Sequence, residues 1–210
     1  MTTIPIIKSL AIPEVKIIHP KKHGDERGFF SETYNQRDLA KAGIDIVFVQ
    51  DNHAFSAKKG TVRGLHFQAP PLAQHKLIRV VSGAILDVAV DLRVGSPSYG
   101  QSVSAVISAK AWNQMLVPVG FAHGLVTLEP NTEVLYKVSG LYSPEHDKGL
   151  LWNDPALGID WPVSETEALL SEKDTRQPLL ADLAAYFHYP SDSHHEGKSV
   201  MKVLVTGGGE

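Results

Sequence analysis

The 210-residue chain contains no cysteine. This excludes disulfide bonds and thiolate metal sites, and it is typical of proteins in a reducing compartment. The chain also lacks a long apolar run near its N-terminus, where Pro5 and Pro13 interrupt the pattern. We therefore expect no signal peptide, no membrane span and a cytoplasmic location.

Positive charge is not in excess either, because the formal net charge is −3. A general nucleic-acid-binding protein carries a basic surface, so we expect no nucleic-acid partner. Local arginines and lysines still allow an anionic small ligand to bind. The hydrophobic content of 43% is enough for a sizeable core, and the length suits one domain with appendages.

We place that domain at residues 1–188 and expect a polar tail over 189–210. The last ten residues, MKVLVTGGGE, resemble the first strand and glycine turn of a dinucleotide-binding fold. The chain stops before the helix whose N-terminus would hold a pyrophosphate. We therefore expect no working cofactor site in this tail.

Long helical patterns are scarce before residue 165. Many short strand candidates alternate there with glycine and proline turns, which predicts an all-β fold, either a β-sandwich or a jelly roll. One short helix is predicted from its cap at Asn35 to Ala42, with Gly43 ending it. Ser82-Gly83 predicts a hairpin that joins strands at 77–81 and 84–92.

The C-terminal part changes to a helical period. Ser164 and Glu167 have the spacing of a capping box. A run of apolar positions farther on would share one helical face: Leu180, Leu183, Ala184 and Phe187. The pattern predicts short C-terminal helices.

The densest group of polar residues among apolar strand positions lies at 60–91, and it makes His66 and Lys76 the leading candidates for chemistry. Alternation along 84–92 puts Asp87 and Asp91 on one face with Ile85 and Ala89. Such a pattern delivers polar side chains into the interior of a barrel or sandwich.

Three functions fit these residues. A metal site would need His66, His75 and His123 to converge, but the close histidine pair typical of metal-binding barrels is absent, so we expect no metal. Metal-free acid–base chemistry would use histidine as a base, tyrosine as an acid, and Lys76 or Arg63 beside a developing oxyanion. The third possibility is a module that binds a sugar or nucleotide without chemistry.

For the acid–base alternative, Asp91 or Asp174 would orient His66 and stabilise its imidazolium. Tyr136 is a candidate acid, because a phenol keeps its proton at neutral pH. The residues alone leave the choice between the two aspartates open.

An ordered set of motifs resembles the dTDP-4-dehydrorhamnose 3,5-epimerase family. The matching stretches are DERGFFSETY at 25–34, QDNH at 50–53, GTVRGLHFQ at 60–68, QHKLIRVVSG at 74–83, DVAVDLRVGSP at 87–97, VPVGFAHG at 117–124, YKVSGLY at 136–142, WNDP at 152–155 and LSEKD at 170–174. The resemblance spans about residues 5–188. Two departures, His53-Ala54 in place of a usual serine and Phe67 in place of a frequent tyrosine, change none of the proton-transfer groups.

This resemblance implies a cupin-like jelly-roll β-sandwich or barrel that acts as a homodimer, uses neither metal nor organic cofactor, and binds a dTDP-sugar. It implies a base at His66 paired with Asp174, Lys76 beside the sugar carbonyl, and Tyr136 as the acid on the opposite ring face. The residues at the family's substrate-binding positions are Arg27, Glu32, Gln50, Asn52, Arg63, His123 and Lys173.

Arg27 and Glu32 would reach the nucleotide of the partner subunit through an exchanged N-terminal strand. Tyr142 matches a second active-site tyrosine and favours inversion at carbons 3 and 5 over a relative that inverts carbon 3 alone.

Overall fold

The structure, a computed structural model, describes residues 4–190, and most of its regular structure is β-strand. The strands, in chain order, are β1 (Ile6–Ser9), β2 (Lys16–His19), β3 (His23–Asp25), β4 (Gly28–Phe30), β5 (Gln50–Ser56), β6 (Val62–Gln68), β7 (Lys76–Ser82), β8 (Ala84–Asp91), β9 (Arg93–Val94), β10 (Ser102–Ser108), β11 (Gln114–Val117), β12 (Phe121–Thr127), β13 (Thr132–Val138), β14 (Asp147–Gly149) and β15 (Phe187–His188). The predicted all-β fold is confirmed.

Two antiparallel sheets face each other. One has the strand order β1-β2-β11-β7-β13-β5 and the other the order β10-β8-β12-β6-β14. A shared apolar core fills the space between them, with members such as Ile78 and Met115 from the first sheet and Ile85 and Ile107 from the second. This is the two-layer arrangement of a jelly roll.

The predicted hairpin at Ser82-Gly83 is wrong in one respect. β7 and β8 follow each other directly, but β7 pairs with β11 and β13, whereas β8 pairs with β10 and β12. The chain therefore crosses from one sheet to the other at Gly83, which has a φ of +78°. A Cβ atom there would collide with the Thr132 side chain, so the crossing needs glycine.

The apolar run of β8 is explained by burial of both its faces. Ile85 and Ala89 point into the core between the sheets, as the alternation predicted. Val88 and Val90 point outwards into a second core, which the C-terminal segment covers. A strand covered on both sides has no water-facing positions and reads as continuously hydrophobic.

The predicted C-terminal helices are the main error in local structure. The described part of the C-terminal segment contains short 3₁₀ turns at Pro155–Leu157, Asp174–Arg176 and Leu180–Asp182, and then strand β15. Leu180, Leu183 and Phe187 do share a surface, but that surface packs flat on the outer core, and β15 pairs with β9. Packing against the sheet has overridden the helical spacing.

The Ser164 and Glu167 side chains do bond, at 2.6 Å, yet they close a single turn. The α-helix found among the described residues is α1 (Gln36–Lys41), and its cap is as predicted: the Asn35 side chain accepts from the Asp38 amide at 3.3 Å. None of the helices in residues 4–190 is long and apolar enough to cross a membrane. The cytoplasmic location and the domain boundary at 188 stay predictions, and the tail from 191 onwards lies outside the described residues.

Candidate active site

A cavity of about 430 Å³ opens between the two sheets. Both sheets and the C-terminal segment contribute to its walls. Its titratable lining residues are Arg63 and His66 on β6, Lys76 on β7, His123 on β12, Tyr136 on β13, and Asp174. The structure therefore brings together all four predicted catalytic residues, which are spread over more than a hundred positions of the chain.

His66 and Asp174 form a close pair. The imidazole Nε2 lies 2.5 Å from the Asp174 carboxylate, whose side chain is only 4% exposed. If Nε2 carries the proton toward the carboxylate, Nδ1 is left unprotonated and can accept one. The arrangement is that of a histidine base with a carboxylate that fixes its tautomer.

The Asp174 carboxylate stays ionised in this environment. Burial alone would raise its pKa, but the hydrogen bond and charge of His66, with help from Ser171 and the Gly64 backbone, hold the pKa below its usual value. Asp91, the other candidate partner of His66, binds the Arg93 guanidinium at 2.8 Å instead. The structure thus decides between the two aspartates.

Lys76 reaches across from the opposite sheet. Its ammonium donates to the backbone carbonyl of His66 at 3.2 Å. Burial lowers its pKa from 10.5 to about 8, against the opposing influence of the Asp147 and Asp87 carboxylates. A half-buried cation in the wall of such a cavity can stabilise a developing oxyanion.

Tyr136 lies on β13, in the sheet opposite His66. Burial raises the pKa of its phenol, and the nearby Asp147 charge adds to this, while Arg63 opposes it. The phenol therefore holds its proton at neutral pH. A proton acceptor and a proton donor thus occupy opposite walls of one cavity.

A β-bulge explains how Arg63 and His66 share the cavity although three positions separate them. His66 pairs with His123, but Arg63 pairs with Leu125, so β6 has one residue more than β12 over this stretch. A bulge redirects side chains that strict alternation would send to opposite faces. A regular period of two would put Arg63 and His66 on opposite faces of β6, so the bulge is what lets both predicted residues line the cavity.

His123 forms a second pair, with Asp87 on β8. Its Nε2 lies 2.7 Å from one Asp87 oxygen, and the other oxygen of this fully buried carboxylate has no partner among the described residues. The paired carboxylate fixes the orientation of His123 toward the cavity.

The other predicted binding residues form two groups: one lies beside the cavity, and the other is exposed and lies away from it. Ala54 lines the cavity, and alternation puts Gln50 and Asn52 on the same face of β5. Gln50 also accepts from the Tyr142 amide at 3.2 Å. Arg27, by contrast, is highly exposed at the tip of the β3–β4 hairpin, where it pairs with Asp25.

Glu32 is also exposed, and it accepts from the Asn35 side chain at 3.4 Å. Neither Arg27 nor Glu32 lines the cavity of its own chain. Within this chain, β2 pairs with β11, so the first two strands belong to its own sheet.

Sequence reasoning missed Asp147, on β14. The Lys173 ammonium lies 2.5 Å and the Tyr142 hydroxyl 3.1 Å from the same oxygen of its carboxylate. Three-residue strands such as β14 leave almost no periodic signal, so the placement of Asp147 could not be predicted from the pattern.

The metal alternative finds no support in the geometry. No group of three or more potential ligands occurs within residues 4–190. His75 does not join His66 and His123, because its Nδ1 accepts from the Val119 amide at 3.2 Å. It lines a separate cavity of about 460 Å³ with Lys16, Glu14 and Tyr189, where the described lining offers no comparable pairing of base and acid.

Comparison with known proteins agrees with the family resemblance of the sequence motifs. The family model described as dTDP-4-dehydrorhamnose 3,5-epimerase matches residues 9–182. A protein of that name from Sinorhizobium fredii is 54% identical over 182 residues, covering 87% of this chain and 93% of its own length.

Two solved structures of similar proteins carry ligands. A dTDP-4-dehydrorhamnose 3,5-epimerase from Bacillus anthracis, with TDP and PPi bound, has a TM-score of 0.81 and 49% identity, over 83% of this chain and 99% of that one. A dTDP-6-deoxy-D-glucose-3,5-epimerase from Legionella pneumophila, in complex with dTDP-4-keto-L-rhamnose, has a TM-score of 0.84 and 41% identity, over 89% and 100%. A 3'-monoepimerase from Streptomyces bikiniensis, in complex with dTDP-quinovose, is more distant at 33% identity and a TM-score of 0.77, over 82% and 87%.

The fold and these relatives define an isomerase built on a cupin-like jelly roll. More particularly, the chain belongs to the dTDP-4-dehydrorhamnose 3,5-epimerase family.

Proposed function

We propose that this protein inverts carbons 3 and 5 of dTDP-4-dehydro-6-deoxy-D-glucose to give dTDP-4-dehydro-L-rhamnose. One observation carries the proposal: His66, paired with Asp174, and Tyr136 lie on opposite walls of the same cavity. Inversion of a carbon requires a proton to leave one face and another to arrive at the opposite face. A module that only binds its ligand does not need a base and an acid on opposite walls of the cavity.

The first step is proton removal beside the ketone. The carbonyl acidifies the hydrogen on each neighbouring carbon, so a neutral imidazole is a competent base. The unprotonated nitrogen of His66 takes the proton, and Asp174 stabilises the imidazolium that forms. The electron pair of the broken C–H bond moves onto the carbonyl oxygen and forms an enolate.

Lys76 stabilises this enolate as a cation beside the oxygen. Tyr136 then gives its phenolic proton to the carbon from the opposite face. The phenolate regains a proton from solvent and His66 releases its own, so the net reaction is an isomerisation. The carbons at 3 and 5 flank the same carbonyl, and a shift of the ring lets one base and one acid serve both. In this scheme side chains make each proton transfer to or from carbon, and solvent restores their protonation states.

Substrate binding is assigned to the remaining predicted residues. Arg63 and His123 line the cavity, and Gln50, Asn52, Tyr142 and Lys173 lie on neighbouring positions. Arg27 and Glu32 are assigned to the nucleotide of the partner subunit in a homodimer. Since β1 and β2 join their own sheet, we assign this role to the β3–β4 hairpin and the residues after it, where Phe29 and Phe30 are 56% and 67% exposed.

Inversion at carbon 3 alone is the second candidate, because a 3'-monoepimerase is among the structural relatives. The higher identity to proteins named 3,5-epimerases, 54% against 33%, favours double inversion.

Proton NMR of the product formed in deuterated water tests the proposal. Double inversion should place solvent deuterium at both carbons next to the ketone, and single inversion should place it at carbon 3 only. Ligand binding without any solvent exchange would contradict epimerisation altogether. Loss of activity on chelation, with about one equivalent of metal by elemental analysis, would favour the metal-dependent alternative instead.

A further inference from the structure

Asp147 does not line the cavity itself, and the scheme above leaves this charged residue without a role. Its side chain is 19% exposed, and one carboxylate oxygen lies within hydrogen-bonding distance of both the Lys173 ammonium and the Tyr142 hydroxyl. Both of these partners are substrate-binding candidates. Asp147 is therefore the point at which two functional side chains are tied together.

We propose that Asp147 is a positioning residue of the active site, which holds Tyr142 and Lys173 beside the cavity and places a fixed negative charge behind its wall. The inference deepens the proposed function and rests on it. Asp147 acts through its neighbours and need not touch the reacting atoms.

The backbone around Asp147 makes it a fixed anchor. Asp147 pairs with Gln68 on β6, next to the strand position of the base. The Gln68 side chain in turn donates to the Leu141 carbonyl at 2.9 Å and accepts from the Ser143 amide at 2.9 Å. The loop that carries Tyr142 is thus attached to the same strand as His66, and Asp147 sets where its phenol lies.

The contacts that Asp147 makes with Lys173 and Tyr142 are too exposed to contribute much to the free energy of unfolding. The Lys173 side chain is 48% exposed, and Tyr142 is 58% exposed. Ion pairs and hydrogen bonds in such positions contribute little to stability. Their role in the proposal is to place two exposed side chains beside the substrate.

The charge of Asp147 also acts on the interior of the cavity. It raises the pKa of Lys76, which burial has lowered to about 8, and it raises the pKa of Tyr136. The charged or titratable groups that face Lys76 from the surrounding elements are Arg63 and His66 on β6, Asp87 on β8, His123 on β12, Tyr136 on β13, Asp147 on β14, and Lys173 and Asp174 in the C-terminal segment. Among the groups that act on Lys76 through their charge, Asp147 favours the protonated form most and Lys173 opposes it.

Asp147→Asn tests this role, because asparagine keeps the shape and an acceptor but removes the charge. In the wild type, kcat/KM should fall above the Lys76 pKa of about 8, since a neutral amine no longer stabilises the enolate. In Asp147→Asn this alkaline limb should move to lower pH. The ratio of variant to wild-type kcat/KM should therefore decrease between about pH 7 and about pH 9.

Asp147→Glu, which restores the charge, should return the limb toward its wild-type position. Asp51→Asn is the matched control, because Asp51 pairs with Lys137 at 2.8 Å and does not line the cavity. Its pH profile should run parallel to that of the wild type.

Lys173→Met provides a second variant, in which the alkaline limb of the kcat/KM profile should shift in the opposite direction. Lys173 lowers the pKa of Lys76, so its removal should move the alkaline limb to higher pH even if substrate binding weakens. This variant keeps the proposal testable should Asp147→Asn fail to fold, as a thermal melt would reveal.

An alkaline limb that stays at the wild-type pH in Asp147→Asn would overturn the proposal, whatever the size of the loss in kcat/KM. So would a limb that moves the same way in Asp147→Asn and Lys173→Met. A wild-type protein without epimerase activity would instead mark failure of the proposed function, which the same assays separate from failure of the Asp147 role.

Discussion

At the scale of single residues, His66 and Tyr136 differ in what surrounds them. His66 is bonded to a buried carboxylate that compensates a positive charge on its ring. Tyr136 lies in an environment that disfavours its charged form. Since the two environments stabilise opposite changes of charge, one residue suits proton removal and the other suits keeping a proton until an anion forms beside it.

Substitution of these two residues should therefore cause different failures. His66→Ala should abolish both epimerisation and the uptake of solvent deuterium, because no enolate forms. Tyr136→Phe should slow inversion by about a hundred- to ten-thousand-fold, the usual contribution of a general acid. His66 can still remove a proton, exchange it with solvent and return it to the same face. Proton NMR in deuterated water should then detect deuterium with retained configuration.

A Tyr136→Phe variant that epimerises at nearly the wild-type rate would contradict the assignment of the acid, which would pass to Tyr142 or water. The ring of Tyr136 also packs on the core between the sheets. Phenylalanine preserves that packing, so a change in rate in this variant reports the hydroxyl group.

At the scale of elements, strand β6 is where local backbone geometry determines the site. The bulge opposite β12 lets Arg63 and His66 share a wall. It also brings two glycines back to back: a Cβ atom on Gly64 would lie 2.6 Å from the Gly124 Cα, and Gly64 has a φ of +125°. The close approach of the two strands therefore depends on the absence of a side chain at this position.

Gly64→Ala should accordingly destabilise the protein by at least about 2 kcal/mol in the free energy of unfolding, through backbone strain and collision together. Thermal or denaturant unfolding measures this. Gly28→Ala is the control. Gly28 has a similar φ of +131°, but no atom beyond the glycine and its two chain neighbours lies within 4 Å of the position that an added Cβ would occupy.

The difference between these two glycine variants isolates the cost of the collision from the cost of the φ angle. Equal destabilisation would mean that the contact between β6 and β12 relaxes freely. Because Gly64 lies between Arg63 and His66, we also expect Gly64→Ala to lower kcat/KM more than Gly28→Ala does.

At the scale of the whole molecule, the cavity contains the acid–base groups of one chain but lacks Arg27 and Glu32. Arg27 is 85% exposed on the hairpin. This separation is what a shared site requires, in which each subunit completes the nucleotide site of its partner.

A heterodimer of Arg27→Ala and His66→Ala subunits tests this arrangement. Each homodimer should have low activity, with a loss of at least about tenfold for Arg27→Ala if it binds phosphate. The heterodimer, purified with two different affinity tags, contains one subunit with an intact His66 and a partner with an intact Arg27. It should recover about half of the wild-type activity, since one of two sites is complete.

If Arg27 served its own subunit, the heterodimer would contain no complete site and would stay as inactive as the homodimers. A monomer by size-exclusion chromatography with full activity would likewise exclude the shared site. The Glu32→Ala and His66→Ala pair offers an independent repeat of the same test.

The sequence by itself determined the local structure and the chemical inventory. Most strands, the N-cap of α1 at Asn35 and the glycine that follows its C-cap, Gly43, were predictable because alternation, turn residues and caps depend on neighbours a few positions apart. Recognition of ordered motifs selected His66, Lys76, Tyr136 and Asp174 together, and the structure places all four around one cavity.

Only the tertiary structure decided what depends on distant contacts. β7 and β8 were expected to pair, but β7 pairs with β11 and β13 in one sheet and β8 pairs with β10 and β12 in the other. The residues after 179 have helical spacing, yet they pack as an irregular segment on an outer core that exists only after the sheets have formed. Asp147 enters the site because its short strand pairs with β6, seventy-nine positions from its partner Gln68 along the chain. Such choices are made by burial and strand pairing across the whole molecule, which no local pattern records.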